Sequence, residues 1–385
     1  MDTAINPARP VWGRTLASTA LILAMLACSL PLPPPPAAPS RLVDTATPDS
    51  QIASDGLTAI PLLSGYGVRG PFYEVYFTDP FNPESAKEEG GPDLPLVAAI
   101  NSARISIDVA AYSLSLYSIQ NALIHAFNRG VVVRMVMESD NMGNSAVDAL
   151  NGAGIPIIGD QRAGLMHDKF VIIDRTEVWT GSMNFTASGV YRDNNNLVRI
   201  KSTRVAQDYT VEFEEMFKDD FFGPDSIAQT PYSLVTIDGV GVEIYFSPDD
   251  HPAMRIVELL RKAKHSIYFM AYSFTANDFG DILLQKAHEG LQVSGVMEES
   301  QAMTNQGTEF DALTQAGLPV YLDGNSGQMH HKVIIIDDQI VITGSYNFSS
   351  SAERTNDENV VIFFNSQIAA QYTSEFQRVF AEAPK

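Results

Sequence analysis

The sequence predicts an α/β protein built as two similar halves that pack face to face about a pseudo-twofold axis, with a shared polar site between them. Three observations lead there. Strand-like apolar runs alternate with helix-length segments, the pattern of α/β folds. The chain also repeats itself: Arg104-Ile105-Ser106-Ile107 through Ala111-Tyr112-Ser113 matches His265-Ser266-Ile267 through Ala271-Tyr272-Ser273, and Val136-Met137-Glu138 matches Val296-Met297-Glu298, each 160 positions on. Finally, one polar pattern, H-x-K-x4-D-x6-G-S-x-N, occurs twice with identical internal spacing. Its members are His167, Lys169, Asp174, Gly181, Ser182 and Asn184, then His330, Lys332, Asp337, Gly344, Ser345 and Asn347, now offset by 163.

Taken in order, the chain opens with Arg9 and Arg14 ahead of an apolar run from Leu16 to Ala27. That run is shorter than the roughly 20 residues of a membrane span and has the shape of an export signal over residues 1–28. Cys28, the only cysteine, closes the run, so no disulfide can form within the chain. Its placement after Met25-Leu26-Ala27 resembles the lipobox of bacterial lipoproteins, whose cysteine is lipidated after cleavage. The protein is therefore expected to be exported, either extracellular or membrane-anchored through lipidated Cys28. Residues 29–65, rich in Pro, Ala, Ser, Thr and Asp, are expected to form a flexible tether.

At 385 residues the chain accommodates two average domains or one duplicated domain with a large core. Its 25 Lys and Arg against 46 Asp and Glu give a formal charge of −21, with no long basic run. Polyanion binding is mostly phosphate neutralisation by cations, so this balance disfavours a DNA-tracking protein.

The halves are expected over residues 66–225 and 226–385. Each reads as a strand near its start (Glu74 to Phe77; Glu243 to Phe246), an apolar strand ending in Ala-Tyr-Ser, and a helix (Leu116 to Arg129; Phe279 to Glu289). A strand opened by Gly130 or Gly290, a second helix (Ser145 to Gly152; Thr308 to Gly317) and the motif strand follow. The alternation predicts a mixed, largely parallel sheet in each half. The change of offset from 160 to 163 places a three-residue difference in the loop ahead of the second motif.

Read as a strand from Leu165 to Ile173, the first motif puts His167 and Lys169 on one face and Asp168 on the other. Asp174 and Asp337 have the opposite parity and sit where the apolar run stops, which marks them as structural turn residues. Glycine allows close backbone approach, and Ser and Asn two residues apart can offer a hydroxyl and an amide to one oxyanion. One half holds an anion but lacks a complete acid and base. Two halves supply a nucleophile on one side of phosphorus and a proton donor on the other, the need of phosphodiester cleavage through a covalent intermediate. A metal site is disfavoured: Lys is a poor ligand at neutral pH, and no His-x3-His or Glu-x-x-His cluster accompanies the motif.

These duplicated residues resemble the paired HKD motifs of the phospholipase D superfamily, over essentially Phe72 to Phe380. The resemblance implies a bilobal fold, an interfacial active site and neither metal nor cofactor. It implies that His167 is the nucleophile that becomes a phosphohistidine, and that His330 protonates the leaving alcohol. Lys169, Lys332, Asn184 and Asn347 would hold the non-bridging oxygens, supported by Ser182 and Ser345. The family places a further acid after each motif, and Glu358, 28 residues beyond His330, is expected to back that histidine. Asn195, equally far beyond His167, departs from the pattern and is expected to fix the tautomer of His167 as an amide, facing the bound substrate.

The expected reaction is phospholipase D-type hydrolysis of a phospholipid or other phosphodiester at a membrane surface. An exported endonuclease of the same superfamily and a non-catalytic phosphate- or lipid-binding relative are the alternatives. A monomer is expected, because both half-sites lie in one chain.

Overall fold

The computed structural model describes residues 56–385; the expected export segment and Cys28 lie outside the described residues. In the first half, strands β1 (Thr58–Pro61), β2 (Tyr66–Arg69), β3 (Tyr73–Phe77), β4 (Ser106–Ala111), β5 (Val132–Met137), β6 (Ile157–Gly159), β7 (Lys169–Ile173), β8 (Glu177–Gly181) and β9 (Asn196–Lys201) form one sheet. Its order is β1-β2-β3-β9-β8-β7-β4-β5-β6. The second half repeats this with β10 (Leu234–Ile237), β11 (Val240–Ser247), β12 (Ser266–Ala271), β13 (Gln292–Met297), β14 (Val320–Leu322), β15 (Lys332–Ile336), β16 (Ile340–Gly344) and β17 (Glu358–Phe364). The order there is β10-β11-β17-β16-β15-β12-β13-β14.

Two expectations change. The sheets are mixed but mostly antiparallel: only β4-β5-β6 and β12-β13-β14 run parallel, each step a crossover through helix, such as Tyr117–Asn128 and Ser145–Gly152 in the first half. The motif strand instead turns straight back in a hairpin, β7 to β8 and β15 to β16. The fold also begins earlier than the expected end of the tether at residue 65. Leu57 is buried in the core, and β1 pairs antiparallel with β2. Four-residue strands among Pro, Ser and Gly show too little alternation to be read from sequence.

The motif strands are apolar on both faces, Phe170-Val171-Ile172-Ile173 and Val333-Ile334-Ile335-Ile336, because each sheet is covered twice. Val171 and Ile173 meet an outer helical layer that includes the helices at Asp93–Ser102, Tyr117–Asn128 and Ser145–Gly152. Phe170 and Ile172 face a central core shared with Val333 and Ile335 of the other half. Two long helices contribute to that shared core. Thr203–Asp219 is N-capped by Ser202, and Ser366–Glu382 by Asn365. The halves are thus one hydrophobic unit, and the polar site forms where the central strands of the two sheets run out together.

Candidate active site

Each motif hairpin is anchored by its aspartate. Asp174 and Arg175, like Asp337 and Asp338, adopt positive φ near 50° in the turn. The Asp174 carboxylate accepts from the backbone N–H groups of Arg104, Ile105 and Ser106 at 2.7–3.1 Å, and Asp337 from Lys264, His265 and Ser266 at 2.7–3.1 Å. Both carboxylates are thereby spent on the chain, away from the cavity. At the other end of the hairpin, Gly181 and Gly344 carry φ of 145° and 141°, where a Cβ would run into the carbonyl of Asn196 or Asn359. That close approach brings Gly-Ser-x-Asn against the interface.

The residues just before each motif strand leave their own sheet and bond across the interface. His167 N–H donates to Asp357 O and Asp357 N–H to Leu165 O, both at 2.9 Å; Asn194 N–H donates to Gln328 O at 2.8 Å and His330 N–H to Asn194 O at 2.9 Å. The ordered strand therefore starts at Lys169 rather than Leu165. The crossing also exchanges the partners of the histidines. Glu358, expected behind His330, lies 2.7 Å from His167 Nδ1. Asn195, expected behind His167, presents Oδ1 to His330 Nδ1 at 2.9 Å. Each segment that ends a half reaches the motif of the opposite half.

The exchange belongs to a wider asymmetry. Around His167 the supporting groups are charged: Arg162 donates to Thr355 O at 2.6 Å and pairs with Asp357, next to Glu358. Around His330 the corresponding groups are amides: Asn325 donates to Arg192 O at 2.8 Å and to Asn194 Oδ1 at 3.0 Å, next to Asn195. Sequence reasoning missed Arg162, Asp357, Asn325 and Asn194, since none falls within the repeated motif.

Both histidines line a polar cavity of about 570 Å³ together with Asn184, Asn347, Tyr112 and Tyr272. The side-chain oxygens of Asn184 and Asn347 are buried with no hydrogen-bond partner among the described residues, a matched pair of free amide oxygens beside the histidines. Ser182, Ser345 and Asn195 are not in the lining, contrary to expectation. The Ser182 hydroxyl donates to Asn195 Oδ1 at 2.8 Å and accepts from Asn196 N–H at 3.1 Å, while Ser345 accepts from Asn359 N–H at 3.0 Å. They hold the supports behind the histidines. Lys169 and Lys332 lie beneath, each Nζ donating to the carbonyl of its own motif histidine at 2.5 and 2.8 Å.

Tyr112 and Tyr272 were visible in the sequence only as part of the repeated Ala-Tyr-Ser. Each ring meets its histidine edge to face at 4.7 Å and takes a lysine ammonium over its face, Lys169 at 5.0 Å and Lys332 at 4.5 Å. The two half-sites are superimposable in this respect.

Behind the site, Asn359 donates to Asp168 Oδ1 at 2.6 Å and accepts from Thr180 at 2.7 Å across the interface. Its counterpart Asn196 contacts His331 Nδ1 at 3.2 Å and accepts from Thr343 at 3.0 Å. His331 Nε2 in turn meets Glu375 at 2.9 Å. Asp168 and His331 thus face the central layer, opposite to the lysines, as strand alternation requires.

Burial dominates the electrostatics. It lowers the pKa of His167 and His330 well below the ordinary value, with Lys169 and Lys332 adding to the effect, which favours the neutral rings. It brings Lys169 down to about 7 and pushes Glu358 up to about 7. A bound anion between the two lysines would reverse these tendencies by holding the cations charged. Among the described residues no group of three or more His, Cys, Asp or Glu side chains is arranged to hold a metal ion.

A family model described as "Cardiolipin synthase, PLD-like domain" matches residues 96–217 and 256–380, one copy in each half. The phospholipase D of Rickettsia typhi is 33% identical over 141 residues, 37% of this chain and 69% of that protein. The mitochondrial cardiolipin hydrolase of Chlamydomonas reinhardtii is 29% identical over 126 residues, 33% of this chain and 56% of that protein, so the match spans little more than half of the latter's length. The crystal structure of phosphatidylserine synthase from Haemophilus influenzae Rd KW20 shares the fold, with a TM-score of 0.60, 12% identity, and coverage of 76% of this chain and 84% of that one. With two matched copies of one domain and their motif histidines lining one cavity, this chain belongs to the phospholipase D-like family.

Proposed function

We propose that the protein is a metal-independent phosphoric diester hydrolase that cleaves the headgroup ester bond of phospholipids through a phosphohistidine on His167. One observation carries the reading. Both motif histidines line one cavity with Nδ1 fixed from behind, by Glu358 and by Asn195, so that each Nε2 is left for chemistry.

The exchanged partners supply a reason for the roles. When His167 Nε2 bonds to phosphorus and the ester P–O bond breaks, the ring becomes cationic and retains its Nδ1 proton. The Glu358 carboxylate stabilises that charge, and an amide cannot. His330, protonated in the presence of the bound anion, gives its Nε2 proton to the departing alkoxide. Asn195 leaves it a stronger acid than a carboxylate partner would. Water then attacks phosphorus, His330 takes its proton, and the P–N bond breaks to regenerate His167. Lys169, Lys332, Asn184 and Asn347 hold the non-bridging oxygens throughout.

Beyond Lys169 and Lys332, which lie beneath the histidines, the cavity walls carry no Lys or Arg that would follow a nucleic-acid backbone, which speaks against a nucleic-acid track. The export signal expected at residues 1–28, with or without lipidation of Cys28, would take the enzyme to the cell surface or beyond; no helix among the described residues is long and apolar enough to cross a membrane.

The test uses the full chain in EDTA with mixed phospholipid vesicles, bis(p-nitrophenyl) phosphate and single-stranded DNA. Release of headgroup, loss of all activity in His167→Ala and His330→Ala, and a phosphatidyl adduct on the His167 peptide after rapid quenching are the expected results. DNA nicking alone would replace the lipid reading with an endonuclease. Binding without any product, or wild-type rates in either variant, overturns the catalytic one.

A further inference from the structure

The cavity is lopsided in a way that the repeated motif does not explain. All but four of its lining residues come from the second half, the half that carries His330. Three of those second-half residues come from the segment that carries the three-residue difference between the repeats. Where the first half follows Glu138 with the 3-10 turn Ser139–Asn141 before the helix at Ser145–Gly152, the second, three residues longer, has the helix Glu299–Thr304 and the turn that follows it. That insertion brings Gln301, Asn305 and Gln306 to the cavity.

Its polar groups are pre-set. Buried Glu298 accepts from Gln301 N–H at 2.7 Å and Asp323 from Glu299 N–H at 2.9 Å, which pins the helix start. Asn305 Nδ2 donates to Ser273 Oγ at 3.0 Å and to Gln301 Oε1 at 3.1 Å. The Asn305 oxygen and the Gln301 nitrogen are not used in these bonds, and both residues line the cavity. An acceptor and a donor on one wall complement a hydroxyl group, which both donates and accepts.

The remaining lining excludes charged alternatives. The walls carry no Asp, Glu, Lys or Arg, and Lys169 and Lys332 beneath them serve the phosphate, so a charged headgroup would meet no counter-ion in the lining. An aromatic box for a quaternary ammonium is absent too, because the faces of Tyr112 and Tyr272 are already taken by Lys169 and Lys332.

We infer that the insertion forms the leaving-group subsite and selects an uncharged, polyhydroxylated alcohol, such as a glycerol or cyclitol headgroup, read by Gln301 and Asn305. The inference rests on the proposed function, with His330 protonating the alcohol that departs on its side.

Initial rates with the full chain on vesicles doped with phosphatidylglycerol, phosphatidylinositol, phosphatidylcholine or phosphatidylethanolamine test it, with soluble glycerophosphoglycerol and bis(p-nitrophenyl) phosphate alongside. The two polyol lipids should exceed the two amine lipids at least tenfold in kcat/KM. Gln301→Ala/Asn305→Ala should lower the ratio of phosphatidylglycerol to bis(p-nitrophenyl) phosphate turnover at least tenfold. Turnover of soluble glycerophosphoglycerol at the phosphatidylglycerol rate assigns the polyol diester itself as substrate; slower turnover assigns its lipid form. Both outcomes support the subsite. Amine lipids cleaved as well as polyol lipids, or a ratio unmoved by the double variant, overturn the inference while leaving the phosphodiesterase standing. If bis(p-nitrophenyl) phosphate and every lipid are inert, the proposed function itself fails.

Discussion

Glu358 of the second half hydrogen-bonds His167 of the first, Oε2 to Nδ1, at 2.7 Å. The carboxylate is fully buried and lies 191 residues away in sequence. Neither half can therefore complete its own histidine. If the carboxylate stabilises the cationic phosphohistidine, Glu358→Gln should cut kcat by about 10²-fold or more, within the range of assisted acid–base groups. Stopped-assay kinetics with quench mass spectrometry should show the adduct on His167 forming slowly. An unchanged formation rate would mean that Glu358 is only a structural partner.

Asn195 offers the converse experiment. It accepts from Ser182 and meets His330 through Oδ1, while its Nδ2 donates to Gly189 O at 2.9 Å. Asn195→Asp keeps the first two contacts and adds a charge beside His330, which raises that ring's pKa. Turnover should persist, with its alkaline limb displaced to higher pH. A pH–rate profile identical to wild type would show that His330 does not titrate in the reaction.

The pH dependence of the unaltered enzyme follows from two groups shifted in opposite directions by burial. Glu358, raised to about 7, must be ionised to support His167, so activity falls as pH drops through that value. Lys169, lowered to about 7, and Lys332, lowered by burial as well, must be protonated to hold phosphate, so binding weakens and kcat/KM falls as pH rises, whereas the alkaline limb of kcat in the bound enzyme belongs to His330. A narrow bell centred near neutrality is expected for kcat/KM, and Glu358→Gln should remove its acid limb. A plateau extending from pH 5 to 9 would contradict this assignment of the limbs.

The motif, its duplication and the inward-facing pair His167 and Lys169 were legible because strand alternation is local and the spacing is exact. Asp174 and Asp337 were legible for the same reason, since a turn residue declares itself by where the apolar run stops. Pairing of the supports was not. Which histidine Glu358 meets is decided by backbone crossings at Leu165–Asp357 and Gln328–Asn194, a tertiary event with no local signature. The serines misled because Gly181 and Gly344 bend the chain, so that Ser182 turns inward to Asn195 while Asn184 alone reaches the cavity. The sheet direction misled because parallel pairing is confined to three strands of each half, while the hairpins and edge strands pair antiparallel.

Asp168 makes a stability prediction. It is buried in the central layer with Oδ1 bonded to Asn359 and Oδ2 unpartnered, and burial pushes its pKa up to about 7. The folded state thus retains a proton that the unfolded chain gives up near 4, and stability contributed by this group is lost as pH rises from there through about 7. Asp168→Asn retains the bond to Asn359 and removes the ionisation. Thermal melts should show the variant a few degrees above wild type at pH 8 and level with it at pH 5. The reverse ordering would mean that the ionised carboxylate is stabilised by its surroundings.

Arg162 is the counterpart test at the interface. It pairs with buried Asp357, one residue before Glu358, whereas Asn325 makes the equivalent contacts with neutral partners in the other half. Arg162→Ala leaves Asp357 with the Gly223 N–H but no cation, a loss worth about 3–5 kcal/mol for a buried pair. Asn325→Ala removes ordinary hydrogen bonds worth about 1 kcal/mol each. Because burial already raises the pKa of Asp357 and Arg162 opposes that rise, the variant's aspartate should take up a proton. Its stability deficit should therefore be large at pH 8 and shrink towards pH 5, in denaturant melts read against Asn325→Ala. Activity should fall with it even at temperatures where the variant is folded, since displacement of Asp357 displaces Glu358 from His167. Equal deficits in the two variants at both pH values would mean that the charged and neutral supports are interchangeable.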